Sequence, residues 1–376
     1  MQRLRTRVLD SLAEVSALEW DALAGDHPLL SHAFLHALHE TDCAAEDTGW
    51  SPAYITLWEG EQLAAAMPMY SKDHSYGEYV FDWAWADAYE RHGVRYYPKL
   101  LSAIPFTPAT GPRLLAKSPA LRRRLIEVAL GLAREQRASS LHVLFPLHEE
   151  AQELEAQGML LRTGVQFHWR NPGYRDFDDF LSRLSHDKRK KIKQERRRVR
   201  EAGVELIRVN GHEASTAQWD FFYRCYTRTY REHHSTPYLN RKLFERLATT
   251  MPGNVMLVIG MLEGRPICAA LNVHNAHTLY GRYWGSTQFV TGLHFETCYY
   301  QAIEFCIARG IGLFEGGAQG EHKLARGFLP ERTYSAHWLA HPQFAHAVED
   351  FLNRETRGIA GYVNELNEHN PYKNTP

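Results

Sequence analysis

No stretch of this 376-residue sequence approaches the roughly 18 consecutive apolar residues that span a bilayer, so no transmembrane helix is expected. Excess charge is lacking too. Lys and Arg number 43 against 44 Asp and Glu, a formal charge of −1, so no whole-protein field draws nucleic acid or membrane, and an electrostatic partner must be met by local charge. Cysteine is sparse and scattered: Cys43, Cys225, Cys268, Cys298 and Cys306 form no C-x-x-C pair, which argues against a zinc ribbon or disulfide framework and for a reducing cytoplasm. The charged start, Met1 to Val8, lacks the apolar core of a signal peptide. Histidine is plentiful at 21 residues but poorly spaced for a metal. His32 and His36 stand at i, i+4, yet Ala33 occupies the glutamate position of H-E-x-x-H, and His233-His234 and His341 to His346 lack even that spacing. No metal site is expected, and most histidines should be surface or hydrogen-bonded core residues.

What is present is a globular composition, 44% hydrophobic and 12% aromatic, in a chain too long for one ordinary core. Residues 11–40 read as two helical pieces interrupted at Gly25 and Pro28, followed by strands around Tyr54–Trp58 and Leu63–Tyr70, a helix over 119–137, a short strand Leu141–Phe145 and a helix over about 149–157. The order then recurs. Helices cover Trp219–Tyr230 and Arg241–Thr249, strands Val255–Met261, Pro266–His274 and Leu279–Trp284 follow, and the strongest helix, Leu293–Arg309, stops at Gly310 before a buried strand Ile311–Glu315. Gly164 and Asn171-Pro172-Gly173 break the pattern between the halves. The organisation predicted is a mixed α/β fold with domains at 1–165 and 166–340 and a C-terminal helix in 341–376 that packs back toward the first domain.

Four stretches carry chemistry. Residues 183–200, read as one helix, hold ten Lys and Arg, including Lys188, Arg189, Lys190, Lys191 and Arg197, against only Asp187 and Glu195. Like charges at i, i+4 destabilise a bare helix. The segment therefore reads either as a solvated face neutralised by acidic neighbours or as a contact for phosphates. The second stretch, Tyr280 to Thr287, contains Arg282-x-x-Gly285; it reads as a tight aromatic turn or as backbone donors for a pyrophosphate at a helix N-terminus. The third runs from Phe314 to Phe328. A strand ends in Glu315, three glycines follow within five residues (Gly316, Gly317, Gly320), and His322, Lys323 and Arg326 sit on one helical turn. Glycine there permits close backbone approach, so this reads as a site rather than a structural turn. The fourth, Pro68 to Trp83, mixes aromatics with Lys72, His74 and acids, as a polar cleft wall or a tyrosine-rich surface loop would.

Together these stretches resemble the FemAB-like predicted N-acyltransferases over nearly the whole chain. The resemblance rests on Pro68–Asp82, Tyr96–Leu115, Asp187–Val199, Tyr280–Gly285, Leu293–Phe305 and Gly316–Phe328. The wider relatives are the Fem transferases, which add amino acids from aminoacyl-tRNA to peptidoglycan precursors on two GNAT-like domains. The resemblance implies tandem GNAT-like domains and N-acyl or aminoacyl transfer from a thioester or ester donor to an amine. Arg282-x-x-Gly285 matches half of the GNAT turn R/Q-x-x-G-x-G/A, but Thr287 departs from it. The helical arm that some Fem enzymes insert for tRNA is not evident. Fem-type enzymes place a lysine in the substrate site near the end of the second domain, and Lys323 lies in the corresponding stretch.

The reaction so implied assigns Glu315 or His322 to the amine proton, Lys323 and Arg326 to an oxyanion or phosphate, and Arg282 and Gly285 to the donor. The basic helix takes a phosphate-bearing partner: coenzyme A, tRNA or a nucleotide-linked cell-wall precursor. The donor is acyl-CoA or aminoacyl-tRNA. Acetyl-CoA-dependent acetylation of a small amine, and a non-catalytic binding protein for nucleic acid or cell-wall precursor on the same scaffold, remain open.

Overall fold

The computed structural model describes residues 4–318 and 320–373; Gln319 of the glycine-rich stretch and the first three residues of Met1–Val8 lie outside them. The chain divides into two compact units, Met1–Val165 with Arg332–Tyr362, and Gln166–Glu331 with Val363–Pro376.

The first unit contains β1 (Leu4–Leu9), α1 (Ala17–Ala24), α2 (His32–Glu40), β2 (Trp50–Pro52), β3 (Tyr54–Glu59), β4 (Gln62–Met67), β5 (Tyr70–Lys72), α3 (Trp83–Arg91), β6 (Lys99–Ser102), β7 (Leu115–Ala116), α4 (Pro119–Glu135), β8 (Ser140–Leu144) and α5 (His148–Ala156). One sheet runs in the order β1-β3-β4-β7, and β5 pairs β2 and β6, which runs parallel to β8. The strand expected over Leu63–Tyr70 is two. Proline lacks the N–H a ladder needs, and at Pro68 the chain leaves the first sheet, so β5 joins another. Helix α4 forms because Ser118 accepts a hydrogen bond from Leu121 N and Pro119 presets the first turn. Leu125, Ile126, Ala129, Leu130 and Ala133 share one face, buried against Ile55, Leu57, Met67 and Leu141.

Past β9 (Leu160–Arg170), the second unit holds α6 (Phe177–Arg183), α7 (His186–Glu201), β10 (Val204–Asn210), α8 (Thr216–Glu232), α9 (Arg241–Thr250), β11 (Val255–Leu262), β12 (Arg265–His274), β13 (Thr278–Ser286), α10 (Leu293–Phe295), α11 (Gln301–Arg309) and β14 (Leu313–Glu315). Strands β10 to β13 form an antiparallel meander; β14 adds parallel to β13 and antiparallel to β9. Two helix expectations need correction. The basic segment is not one helix over 183–200: α6 stops at Arg183, Leu184 turns extended to bridge Tyr372, and α7 starts afresh at His186. Leu293–Arg309 is helical throughout but contains a π-helical turn, Glu296–Tyr300, between α10 and α11. Such turns are rare and frequent at functional sites.

Finally, β15 (Leu329–Leu339) pairs β8 through Ser335–Leu339, and α12 (Pro342–Glu368) follows. Val348 and Leu352 of α12 pack on Trp85, Tyr89 and Tyr96 of the first unit.

Candidate active site at a strand fork in the second unit

Strands β13 and β14 pair only from Thr278↔Leu313 to Tyr280↔Glu315. Beyond that point β13 continues to Ser286, while β14 ends and the chain turns away through Gly316 and Gly317. The fork is made possible by glycine. Gly317 and Gly320 have φ of 79° and 117°, the left-handed region open to glycine. A Cβ at Gly316 would lie 3.1 Å from the Phe328 ring and 3.2 Å from Lys323 Cε.

The 3₁₀ turn Glu321–Arg326 then brings Lys323 inward, 2% exposed, with Nζ donating to Gly317 O at 3.1 Å. Burial lowers its pKa to about 8, opposed by Cys298 of the π turn. An ammonium held by a neutral carbonyl in a dry site gives up its proton more easily than in water. Glu315 is buried at the strand end. His322 is exposed and shares a 3.2 Å hydrogen bond between Nε2 and Tyr299 Oη. Partial burial, then Arg326 and Lys323, lower its pKa, so it is neutral near pH 7. His294, its pKa pushed down to about 4 by burial, stands 4.9 Å from the Trp284 ring and 6.3 Å from His322, centroid to centroid. Sequence reasoning missed His294 and Tyr299 as site residues, although both fall in a quoted family stretch. Tyr299 lies on the apolar face of Leu293–Arg309 and so reads as core.

Several expected roles are corrected. Arg326 does not face a ligand. It is 1% exposed, with Nη2 on Glu195 Oε1 at 2.7 Å, Nη1 on His322 O at 2.6 Å and the guanidinium over the Phe295 ring. Tyr300 donates to the other Glu195 oxygen. Arg326 thus ties the Lys323 turn to α7, and Lys323 and Arg326 do not act as a matched pair. Arg282-x-x-Gly285 is no turn at a helix N-terminus; both lie in β13, with Arg282 4.9 Å over the Tyr283 ring. Gly285 is required by packing, because any Cβ would overlap the Cys225 carbonyl of α8. In the first unit, Lys72 is fully buried, donating to Gly49 O at 2.9 Å and lying 4.0 Å over the Trp50 ring, and His74 bonds Lys72 and Thr48 O. These are structural contacts within a packed layer, and burial lowers the Lys72 pKa to about 7.

Helix α7 keeps most of its charge unneutralised. Arg196 pairs with Glu296 and Glu304, and Arg197 with Glu201 at 3.6 Å. Among the described residues no carboxylate lies within 4 Å of Lys188, Arg189, Lys190, Lys191, Lys193, Arg198 or Arg200. A cavity of about 980 Å³ runs beside the helix, lined by cations including Arg189, Lys190 and Lys193, by the acids Asp178, Glu205 and Glu296, and by apolar groups including Leu181 and Val199. Lys323 is not among its lining residues. Lys191 faces the other side, where its charge contributes to the lowered pKa of His322.

Residues 11–374 match the model of the FemAB-like family, described as peptidoglycan biosynthesis/recognition. The chain belongs to the FemAB-like family. Among solved structures, FemX is similar, with a TM-score of 0.57 and 12% identity, over 89% of this chain and 98% of that one. L-PGS from Bacillus licheniformis is similar with a TM-score of 0.50 and 10% identity, over 77% of this chain and 86% of that one. A tandem GNAT protein from the clavulanic acid biosynthesis pathway aligns with a TM-score of 0.47 and 12% identity, over 90% of this chain and 99% of that one. Such identities speak to the fold alone, and the FemAB-like chain has a mixed α/β fold similar to that of FemX. No curated protein matches it. Among the described residues no helix is long and apolar enough to cross a membrane, and no group of three or more His, Cys, Asp and Glu is placed to hold a metal.

Proposed function

We propose that this FemAB-like protein is a cytoplasmic N-acyl- or aminoacyltransferase whose chemistry takes place at the β13/β14 fork. The observation that carries the reading is the buried Lys323 ammonium, with a pKa of about 8, held by the Gly317 carbonyl in a turn that Gly316 lets close on it. A neutral amine attacks the carbonyl carbon of a thioester or ester, forming a C–N bond and a tetrahedral oxyanion. Lys323 donates a charge-assisted hydrogen bond to that oxygen. His322, neutral at pH 7, or Glu315 takes the proton from the attacking nitrogen, directly or through water, and returns it to the departing sulfur or oxygen as the C–S or C–O bond breaks. Phosphates on the donor, acyl-CoA or aminoacyl-tRNA, provide a partner for the cations of α7.

Losing one such donor to the transition state typically costs on the order of 3 kcal/mol, roughly a hundredfold in rate. Lys323→Met should keep the fold and its thermal stability and lose most turnover. The donor is found first by thermal protection. Stabilisation by coenzyme A points to acetylation of a small amine, and stabilisation by aminoacyl-tRNA to Fem-like transfer. A Lys323→Met protein with undiminished turnover on the donor so found contradicts the assignment.

A further inference from the structure

The neutral ring of His322 carries a hydrogen on one nitrogen only, and the residues around it decide which. Its Nε2 stands 3.2 Å from Tyr299 Oη. Tyr299 belongs to the π-helical turn and is 6% exposed, enclosed by the rings of His294 at 5.5 Å, Phe295 at 6.3 Å and Phe328 at 5.4 Å, centroid to centroid. Burial keeps its phenol un-ionised, so the hydroxyl has a proton to place. Among the described residues His322 Nε2 is the one polar atom within hydrogen-bond reach of that hydroxyl. If Nε2 carried the ring hydrogen and donated, the buried hydroxyl proton would be left without an acceptor, which is costly. A phenol is also the better donor of the two, and an unprotonated imidazole nitrogen the better acceptor. Tyr299 therefore donates to Nε2, and the hydrogen of the ring sits on Nδ1.

The same surroundings oppose a second proton. Burial, then the charges of Arg326, Lys323 and Lys191, keep the ring neutral, and an imidazolium formed during turnover would face those same three cations. The residue is held at its backbone too, where Arg326 Nη1 donates to His322 O at 2.6 Å. The ring lies over Gly320, where a Cβ would come within 2.6 Å of its Cε1. Nδ1 has no hydrogen-bond partner among the described residues, and the side chain is exposed, so its N–H is left for an acceptor oxygen of the ligand.

We propose that Tyr299 is a positioning residue that fixes the Nδ1–H tautomer of His322, so that His322 meets the ligand as a hydrogen-bond donor and Glu315 is the base. The choice between the two bases rests on acyl transfer at the fork. As the C–N bond forms, the proton leaves the attacking nitrogen for the Glu315 carboxylate, directly or through water. It passes to the departing sulfur or oxygen as the C–S or C–O bond breaks. His322 neither gains nor loses a proton. To act as a base at Nε2 it would need the Tyr299 hydroxyl to turn away into the surrounding rings.

The test is the imidazole nitrogen spectrum of the full chain labelled with isotopic histidine at neutral pH, the His322 signals being assigned by their loss in His322→Asn. A protonated Nδ1 and an unprotonated Nε2 are expected in the parent, and Tyr299→Phe should release the ring to a mixture of both tautomers. An unprotonated Nδ1 in the parent, or a tautomer unmoved in Tyr299→Phe, overturns the proposal. This spectrum needs no substrate, so it decides the tautomer even if the transfer reading fails. On the donor found by thermal protection, Glu315→Gln should lose about a hundredfold or more in kcat. His322→Ala should lose about tenfold, the worth of one hydrogen bond. His322→Asn, whose amide N–H takes the place of Nδ1–H, should recover most of that loss. A loss of about a hundredfold in both His322 variants, with Glu315→Gln little affected, would make His322 the base and overturn the proposal.

Discussion

Lys99 in the first unit and Lys323 in the second, both buried, show how surroundings set the proton affinity of the same side chain. Lys99 in the first unit is fully buried and donates to Glu78 at 2.8 Å, Asp82 at 2.5 Å and Ser75 at 2.8 Å. Burial alone would lower its pKa, but the two carboxylates hold it above the ordinary value. The same contact keeps Asp82 well below the usual carboxylate range, against its own burial. The cluster extends through Tyr96 to His142 and His337, whose Nδ1 atoms lie 2.7 Å apart, and both imidazoles are kept neutral by burial. Lys323 is almost as buried, yet it donates to a carbonyl and its pKa falls. The difference lies in what surrounds the ammonium. Carboxylates commit it to permanent charge, whereas glycines and a carbonyl leave charge for a visiting anion to stabilise.

Substitution should separate the two sharply. The largest effect is expected from Lys99→Met, which leaves Glu78 and Asp82 buried side by side without their cation. Removing one partner of a buried pair costs about 3–5 kcal/mol, so chemical denaturation should show a large loss, whereas Lys323→Met should lose turnover without losing stability. If both lysines behave alike, the comparison fails. A somewhat smaller effect is expected from Arg326→Met, because Glu195 keeps the Tyr300 hydrogen bond when it loses the guanidinium. A stability loss of roughly 3 kcal/mol with the Lys323 turn loosened is expected; hydrogen exchange of the Glu321–Arg326 amides reads it. Unchanged protection there would show that Arg326 is no anchor.

Much of the scaffold was legible in sequence. The apolar spacing of 119–137 and the cap Ser118-Pro119 mark α4 without further help, and the glycine density after Glu315 marks the fork. What escaped depended on partners distant in sequence. The break at Leu184 is made by a bridge to Tyr372 near the other end of the chain, and nothing in the basic run announces it. Arg326 looked available because Glu195 counted only as one acid in a cationic segment, when it is the buried partner that occupies the guanidinium. Gly285 resembled a phosphate turn because Arg282-x-x-Gly285 matches half of the GNAT pattern; only the approach of α8 shows why it is glycine. The Lys99 cluster joins Ser75, Glu78 and Asp82, from the loop before α3, to Lys99 of β6, Tyr96, His142 of β8 and His337 of β15, partners that no local spacing brings together.

The central claim is that Lys323 is a poised ammonium. Between a folded pKa of about 8 and the ordinary 10.5, the unfolded chain binds more protons. Stability should therefore rise with pH across that window in the parent and not in Lys323→Met. The most direct measurement is the titration of the Lys323 side chain by NMR of lysine-labelled protein, assigned by loss of the signal in Lys323→Met. The account predicts a midpoint near 8 that moves upward when an anionic donor binds. A midpoint at the ordinary lysine value, unmoved by any donor, would contradict it.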